Sequence, residues 1–434
     1  MPSSRAVRGW LPAAAAVFAA GWGANQFTPL AVVYRTQEHW PPVPVAAMFT
    51  TYLLGLLPGL LLGGPAADRF GRCLTVRPAL ALSAAASALL AAAPVSPNAV
   101  YVSRLATGFA AGVVLTAGTK WLRELSAWAG RPDAGDRRAT YATGGGFAAG
   151  AVTAGAFAEW LPHPMVLPGL AHCLLALLVL GATRRVPETA PAPGATPVPS
   201  RVVDLHRAVV GNRRFLWVVL PACPAVFGAA TVAYVVLPPL VANRVPGYAP
   251  LFSGLVTALT LTMGIVVQPL AVWLDHAHSA RATLTAMVTV IGGLTVGAIA
   301  AHRNSAGLVM AAAALLGAGY GLTPAAGLME IERLMPPKAH PSTAVLYQGA
   351  TYSGFLTPLL LALTAGAGTA PYPALLAGMA AVGLLCLAVT AGYSRVQPPE
   401  SSLMARPQDE VRHASYRRRH RSTAPRRGAP SWDA

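Results

Sequence analysis

Twelve apolar runs, each close to the 20 or so residues that a helix needs to cross a bilayer, follow one another through this chain. They fall at 9–34, 44–63, 74–94, 98–120, 139–160, 164–183, 215–240, 250–273, 282–301, 305–329, 342–364 and 371–394. Lipid offers no partner to backbone N–H and C=O groups, so runs of this length have to satisfy their own hydrogen bonds as helices. The expected fold is an all-α polytopic membrane protein with twelve transmembrane helices in two six-helix bundles. Composition agrees: of 434 residues 54% are hydrophobic and only 11% charged, with a mean hydropathy of +0.51, which excludes an ordinary soluble domain.

The polar stretches set the divisions. After the sixth run come Arg184, Arg185 and a proline-rich stretch that no membrane helix accommodates. Beyond it, Val202, Val203, Leu205, Val209 and Val210 alternate with Arg201, Asp204 and Arg207, the pattern of a short helix lying on a membrane surface. The expected units are an N-terminal bundle at 1–183, a linker with this interfacial helix at 184–214, a C-terminal bundle at 215–394 and a disordered basic tail at 395–434. The tail holds nine arginines and four acids and too few apolar residues to fold alone.

A net charge of +17 raises the question of nucleic acid, and the position of the charge answers it. Twelve crossings from an inside N-terminus put 28 of the 32 basic residues on the cytoplasmic side. Arg35, Arg244 and Arg303 stay outside, and Arg104 lies within a run. That asymmetry is the positive-inside rule. It places the chain in the cell's inner (plasma) membrane with both termini in the cytoplasm, and its bases against anionic lipid instead of nucleic acid. Four single cysteines, Cys73, Cys173, Cys223 and Cys386, form neither a disulfide framework nor a metal site. No GxxxxGK[ST] run is present, and neither a cofactor nor a metal is expected. The first run continues through Asn25 and Gln26 into Tyr34, so an uncleaved first helix is expected rather than a signal peptide.

Between the second and third runs lies GPAADRFGR, a charged turn carrying Asp68, Arg69 and Arg72 with Gly64 and Gly71 at its ends. Together with the twelve runs and the central linker, Gly64-x-x-x-Asp68-Arg69-x-Gly71-Arg72 resembles the signature loop of the major facilitator superfamily. Cys73 stands where that family usually has a third base. The resemblance implies that the loop latches the two halves on the cytoplasmic side, with Asp68 facing the start of the eleventh helix near Ser342 and Thr343. A carboxylate is favoured at a helix N-terminus, whose unpaired amides carry partial positive charge.

Two further resemblances point to the family's drug and metabolite exporters. Arg104-Leu105-Ala106-Thr107-Gly108 is similar to its arginine motif, with Thr107 for the usual Gln, and the likeness implies a role for Arg104 in proton coupling. The alternative is that Arg104 snorkels to the nearby outer end of its helix. Gly146-x-x-x-Gly150-Ala151-x-x-x-Gly155 resembles the antiporter glycine motif without its proline. These glycines, with Gly108 and Gly112, are expected at close helix contacts. The halves echo each other faintly, through Asp275 at the place of Asp68 and Gly354-Phe355 in the eleventh run, as in parallel-repeat transporters.

Asn25 and Gln26 must find hydrogen-bond partners, either in a neighbouring helix or in a substrate cavity. The resemblance adds Tyr234, Gln268, Tyr320, Gln348 and Tyr352 as cavity candidates, each equally able to serve as helix packing. His172 reads as a packed residue. No acid falls at the middle of a run, which suits a neutral or weakly anionic solute. The function expected is a secondary transporter, acting as a monomer by alternating access and exporting a small organic molecule against protons. The alternatives are an importer or facilitator on the same fold and a non-transporting sensor. A membrane enzyme would need paired acids, a nucleophile with a base, or a metal cluster inside the runs, and none is read there.

Overall fold

A computed structural model describes residues 9–189, 215–274, 280–334 and 347–394. The interfacial segment at 201–214, most of the linker, the Asp275 turn, Ser342 and Thr343, and the tail at 395–434 lie outside the described residues. Helices follow in the order α1 (Trp10–Asn25, resuming as Phe27–Thr36), α2 (Pro42–Phe70), α3 (Arg72–Leu90), α4 (Pro97–Trp128), α5 (Ala134–Trp160) and α6 (Leu167–Thr183). Then come α7 (Phe215–Leu240), α8 (Ala249–Trp273), α9 (Arg281–Arg303), α10 (Ala306–Leu334), α11 (347–366) and α12 (Tyr372–Tyr393). Among the described residues there is no strand, and eight helices are long and apolar enough to cross a membrane.

Prolines account for two of the breaks. Pro29 has no N–H, so the carbonyl of Asn25 loses its helical donor, and the Thr28 hydroxyl takes its place at 2.9 Å. In α11, Pro358 leaves the Gly354 carbonyl free, and Thr231 of α7 donates to it at 3.3 Å.

The packing repeats itself. In the first six helices α2 lies on α4, α3 on α4 and α6, and α1 on α5; in the last six α8 lies on α10, α9 on α10 and α12, and α7 on α11. Every partner is displaced by six helices, as in a chain built from parallel repeats. Glycines set the spacing in both copies. A Cβ on Gly108 or Gly112 of α4 would strike the carbonyls of Tyr52 and Leu56 on α2, and one on Gly317 or Gly321 of α10 would strike those of Thr260 and Gly264 on α8. Gly146 and Gly150 of α5 sit the same way on the Phe18 and Trp22 carbonyls of α1, whereas Gly155 turns to Pro250 of α8 in the other half.

The two groups of six meet mainly along α5 with α8 and α2 with α11, with the second segment of α1 against α7 and α8. One end of the molecule, the basic end, carries Arg69, Arg72, Lys120, Arg123, Arg137 and Arg138.

Candidate functional site

Between α4, α5, α8 and α10 lies a cavity of about 370 Å³. It runs from Arg123, Thr140 and Gln268 near the basic end to Phe147, Leu261 and Tyr320 at mid-depth, with Thr119 and Thr143 along its wall. Hydroxyls, one amide and one guanidinium face it and, among the described residues, no carboxylate lines it.

Above the cavity, aromatic rings close the seam. Phe49 of α2 stacks on Phe355 of α11 at 5.8 Å, and Tyr52 and Tyr234 lean on the same pair. Phe227 of α7 packs against Phe355, Tyr352 and Tyr320 at 4.6, 4.7 and 5.7 Å. Farther from the basic end, backbones meet directly. A Cβ on Gly254 of α8 would lie 2.5 Å from the Ala151 carbonyl of α5, and one on Gly155 of α5 2.7 Å from that of Pro250. Ser253 and Thr257 of α8 reach the Thr28 carbonyl and hydroxyl at 3.4 and 3.3 Å. The seam is therefore shut at the end away from the bases, with the cavity on the basic side of the ring cluster.

The cavity candidates separate accordingly. Gln268 and Tyr320 line the cavity, Tyr352 lies at its roof against Phe227, and Gln348 is exposed. Tyr234 is buried within the ring cluster.

Arg104 does not snorkel. It is 1% exposed, its guanidinium lies 4.6 Å from the ring centres of both Phe27 and Tyr52, and Nη1 donates to the Ala24 carbonyl at 3.2 Å. Its Nε has no partner, and no acid pairs with it among the described residues. Two other buried polar atoms of α1 are also unpaired, Oε1 of Gln26 and the Tyr34 hydroxyl.

Gln26 is buried and bonded into the neighbouring helices, and Asn25 is buried beside it at the α1 break. The Gln26 amide donates to Ser87 Oγ at 2.9 Å, Ser87 lies 2.6 Å from His172 Nδ1, and His172 Nε2 lies 2.9 Å from the Ala19 carbonyl. Since a carbonyl only accepts, Nε2 carries the hydrogen, and in a neutral ring Nδ1 then accepts from Ser87. The ring fills the space beside Gly23, where a Cβ would lie 2.7 Å from Cε1.

The charged turn is shorter than its sequence suggests. Residues 64–70 continue α2, and the chain turns only at Gly71, whose φ of +101° disfavours other residues. Gly64 makes no close approach, since a Cβ there would meet nothing within 4 Å. Asp68 binds Lys120 of α4 at 2.5 Å and Arg72 at 2.9 Å. Arg69 is exposed over the Phe70 ring. Arg72 is 2% exposed and bonded to Glu124 and the Ala67 carbonyl. Partial burial opposes the charge on Asp68, but the Lys120 hydrogen bond and the charges of Lys120 and Arg72 outweigh it and hold the carboxyl below its ordinary 3.8. These ties are thus complete above that value and are lost only as pH falls through the lowered one.

Glu188, just past α6, is a residue the sequence reading missed. Its carboxylate accepts the N–H groups of Arg72 and Cys73 at 2.8 Å each and so caps α3 from the chain leaving the first half. Val186-Pro187 beside it accepts hydrogen bonds from Arg77 and the Trp121 indole. Burial, then Glu188, pushes the Cys73 thiol up to about 11. The proline after α6 was the signal available, because the caps join residues more than 100 positions apart.

The sequence profile described as Major Facilitator Superfamily matches residues 13–358. No curated protein sequence matches the chain. Among solved structures, a point mutant of the nucleoside transporter NupG superposes with a TM-score of 0.73 at 13% identity, covering 89% of this chain and 99% of its own. The peptide transporter POT in complex with sulfate gives 0.70 at 16%, covering 90% and 96%. The inward-open xylose transporter XylE from E. coli gives 0.64 at 12%, covering 93% and 98%. With the fold and four-fifths of the length matched, the chain belongs to the major facilitator superfamily and is a multi-pass membrane transporter of small molecules, not an enzyme.

Proposed function

We propose that this transporter moves a neutral or weakly anionic organic solute by alternating access, as a monomeric proton-coupled exporter in the inner membrane. The observation that carries this reading is the cavity lined by Gln268, Tyr320, three threonines and Arg123, the last paired outside the lining with the exposed Asp136, and with no carboxylate among its described lining residues. The positive-inside rule turns the basic end to the cytoplasm, with both termini there and the bases against anionic lipid. The solute then enters from the cytoplasm, and the ring cluster of Phe49, Tyr52, Tyr234 and Phe355 is the barrier that parts to release it. The turn of Asp68, Arg69, Gly71 and Arg72 fastens the cytoplasmic side in the opposite state. Arg104 is the proton-coupling residue. A guanidinium keeps its own proton, so it acts by holding an anionic group whose protonation releases it.

A second reading, import on the same machinery, draws on the similar nucleoside, peptide and xylose transporters, whose names leave the direction of this one open. Purified protein in proteoliposomes with an imposed pH gradient, screened over neutral and anionic organic compounds, separates the two. Outward exchange of solute for protons supports export. Solute movement down the proton gradient supports import, and acceptance of cations alone overturns the cavity reading.

A further inference from the structure

We infer that the cavity takes a neutral, planar aromatic solute whose edge carries a hydrogen-bond donor beside an acceptor, as a ring lactam does. This narrows the solute class proposed above and rests on that reading of the cavity as the transport site. The lining follows helical spacing. Thr140, Thr143, Gly144 and Phe147 fall at i, i+3, i+4 and i+7 of α5, and Leu261, Gly264, Ile265 and Gln268 do the same on α8. Each helix thus turns one continuous face to the cavity, and α10 adds Tyr320. Among the described lining residues Arg123 is the one ionised group, and Asp136 binds it at 2.6 Å, so the pair as a whole is neutral.

The remaining polar groups sort by what they already bond. Thr119 donates to the Leu115 and Thr116 carbonyls and Thr140 to that of Asp136, so both hydroxyl hydrogens are taken. Gln268, Thr143 and the Tyr320 hydroxyl make no hydrogen bond among the described residues. A primary amide sets an N–H beside a C=O, and a partner that uses both presents the reverse pair along one edge. The Tyr320 ring supplies the platform. It is held on the Gly264 backbone, where a Cβ would lie 2.6 Å from its Cδ1, and Phe227 packs on it at 5.7 Å. Gln268 stands one turn along α8 from Gly264, about 5.4 Å. A ring resting on Tyr320 therefore brings its edge to the Gln268 amide. Phe147 offers a second ring from the first half and makes no ring contact with Tyr320 among the described residues, which leaves the space between them to the solute. At about 370 Å³ the cavity lies low in the range of about 300–1,000 Å³ for small-molecule sites, which suits one or two fused rings.

Equilibrium dialysis of the full chain in detergent against 2-pyridone and 2-quinolone, planar lactams of one and two rings, tests this without any gradient. Binding of at least one is expected. 2-Quinolone should bind about tenfold more tightly than decahydro-2-quinolone, which carries the same amide edge on a ring that cannot stack. It should also bind more tightly than quinoline, which lacks the N–H, and than the anionic quinoline-2-carboxylate. Tyr320→Leu is expected to remove the preference over the saturated lactam and Gln268→Leu the preference over quinoline. Tyr320→Phe, which keeps a ring on Gly264 and Phe227, retains the first preference. No binding of either planar lactam, equal binding of planar and saturated lactams, tighter binding of the anion, or a preference that survives its leucine variant overturns the inference. The comparison among ligands is made on the unaltered chain, so it stands even if a leucine variant fails to fold. Absence of proton-driven exchange in proteoliposomes would overturn the coupling proposed above and leave these affinities as they are.

Discussion

A guanidinium between two rings carries out a task that no other cation can. Arg104 lies 4.6 Å from the ring centres of both Phe27 and Tyr52, and its Nη1 donates to a backbone carbonyl. A lysine at this position would bring a compact, strongly hydrated ammonium that cannot stack. Desolvated cation–π contacts are worth about 2 kcal/mol or more, so Arg104→Lys is expected to lower thermal stability in detergent by an amount of that order, read from the unfolding midpoint. Transport should fall with it, and a variant as stable as wild type would show that stacking contributes nothing. Sequence alone marked Arg104, because a charge inside an apolar run stands out in any reading. Its surroundings were hidden, because Phe27 and Tyr52 are ordinary apolar-run residues until three helices bring them to one point. Glu188 was hidden for the same reason, whereas Gly71 was visible because a tight turn asks for glycine.

Between helices, small residues decide how close two rods can lie, and the same residue type at a different position decides nothing. Gly64 and Gly112 make the contrast. A Cβ on Gly112 would lie 2.5 Å from the Leu56 carbonyl, while one on Gly64 meets open space. Gly112→Val is therefore expected to push α4 from α2 and cost about 1–3 kcal/mol, the usual range for overpacking. Gly64→Ala, inside a helix, is expected to gain up to about 1 kcal/mol from helix propensity. Comparing the two unfolding midpoints checks both, and a destabilised Gly64→Ala would restore that glycine to a packing role. The glycines of α4 and α5 were legible as contact points, but their partners were not. Gly146, Gly150 and Gly155 look equivalent in the sequence, yet two face α1 and the third faces the other half. Helix ends were less legible than runs. Hydropathy ends α2 at 63 and α4 at 120, while both helices continue into polar residues, as Phe70 and Trp128 show, because Asp68, Lys120, Arg72 and Glu124 bond to one another there.

At the scale of the whole molecule, the six-helix repeat was faint in sequence and is plain in packing. A repeat can keep its geometry while losing its letters, since any glycine admits a neighbouring backbone and any bulky apolar residue fills the space around it. The halves are tied unevenly along their seam. Away from the basic end they share stacked rings, backbone approaches at Gly155 and Gly254, and the hydroxyls of Ser253 and Thr257; around the cavity, Gly144 meets only the Ile265 side chain across it. A rocking motion that exposes the cavity to the opposite face must separate Phe49 from Phe355, whose rings lie 5.8 Å apart across that seam. Replacing both by cysteine and joining them with a short bifunctional methanethiosulfonate holds this region closed. Solute exchange in proteoliposomes is then expected to fall to background and to return when a reductant cuts the linker, while each single cysteine variant treated alike keeps its activity. The buried Cys73, with its raised thiol pKa, stays out of the reaction near neutral pH. Full exchange through the linked protein would mean that the solute passes without the two halves separating at these rings.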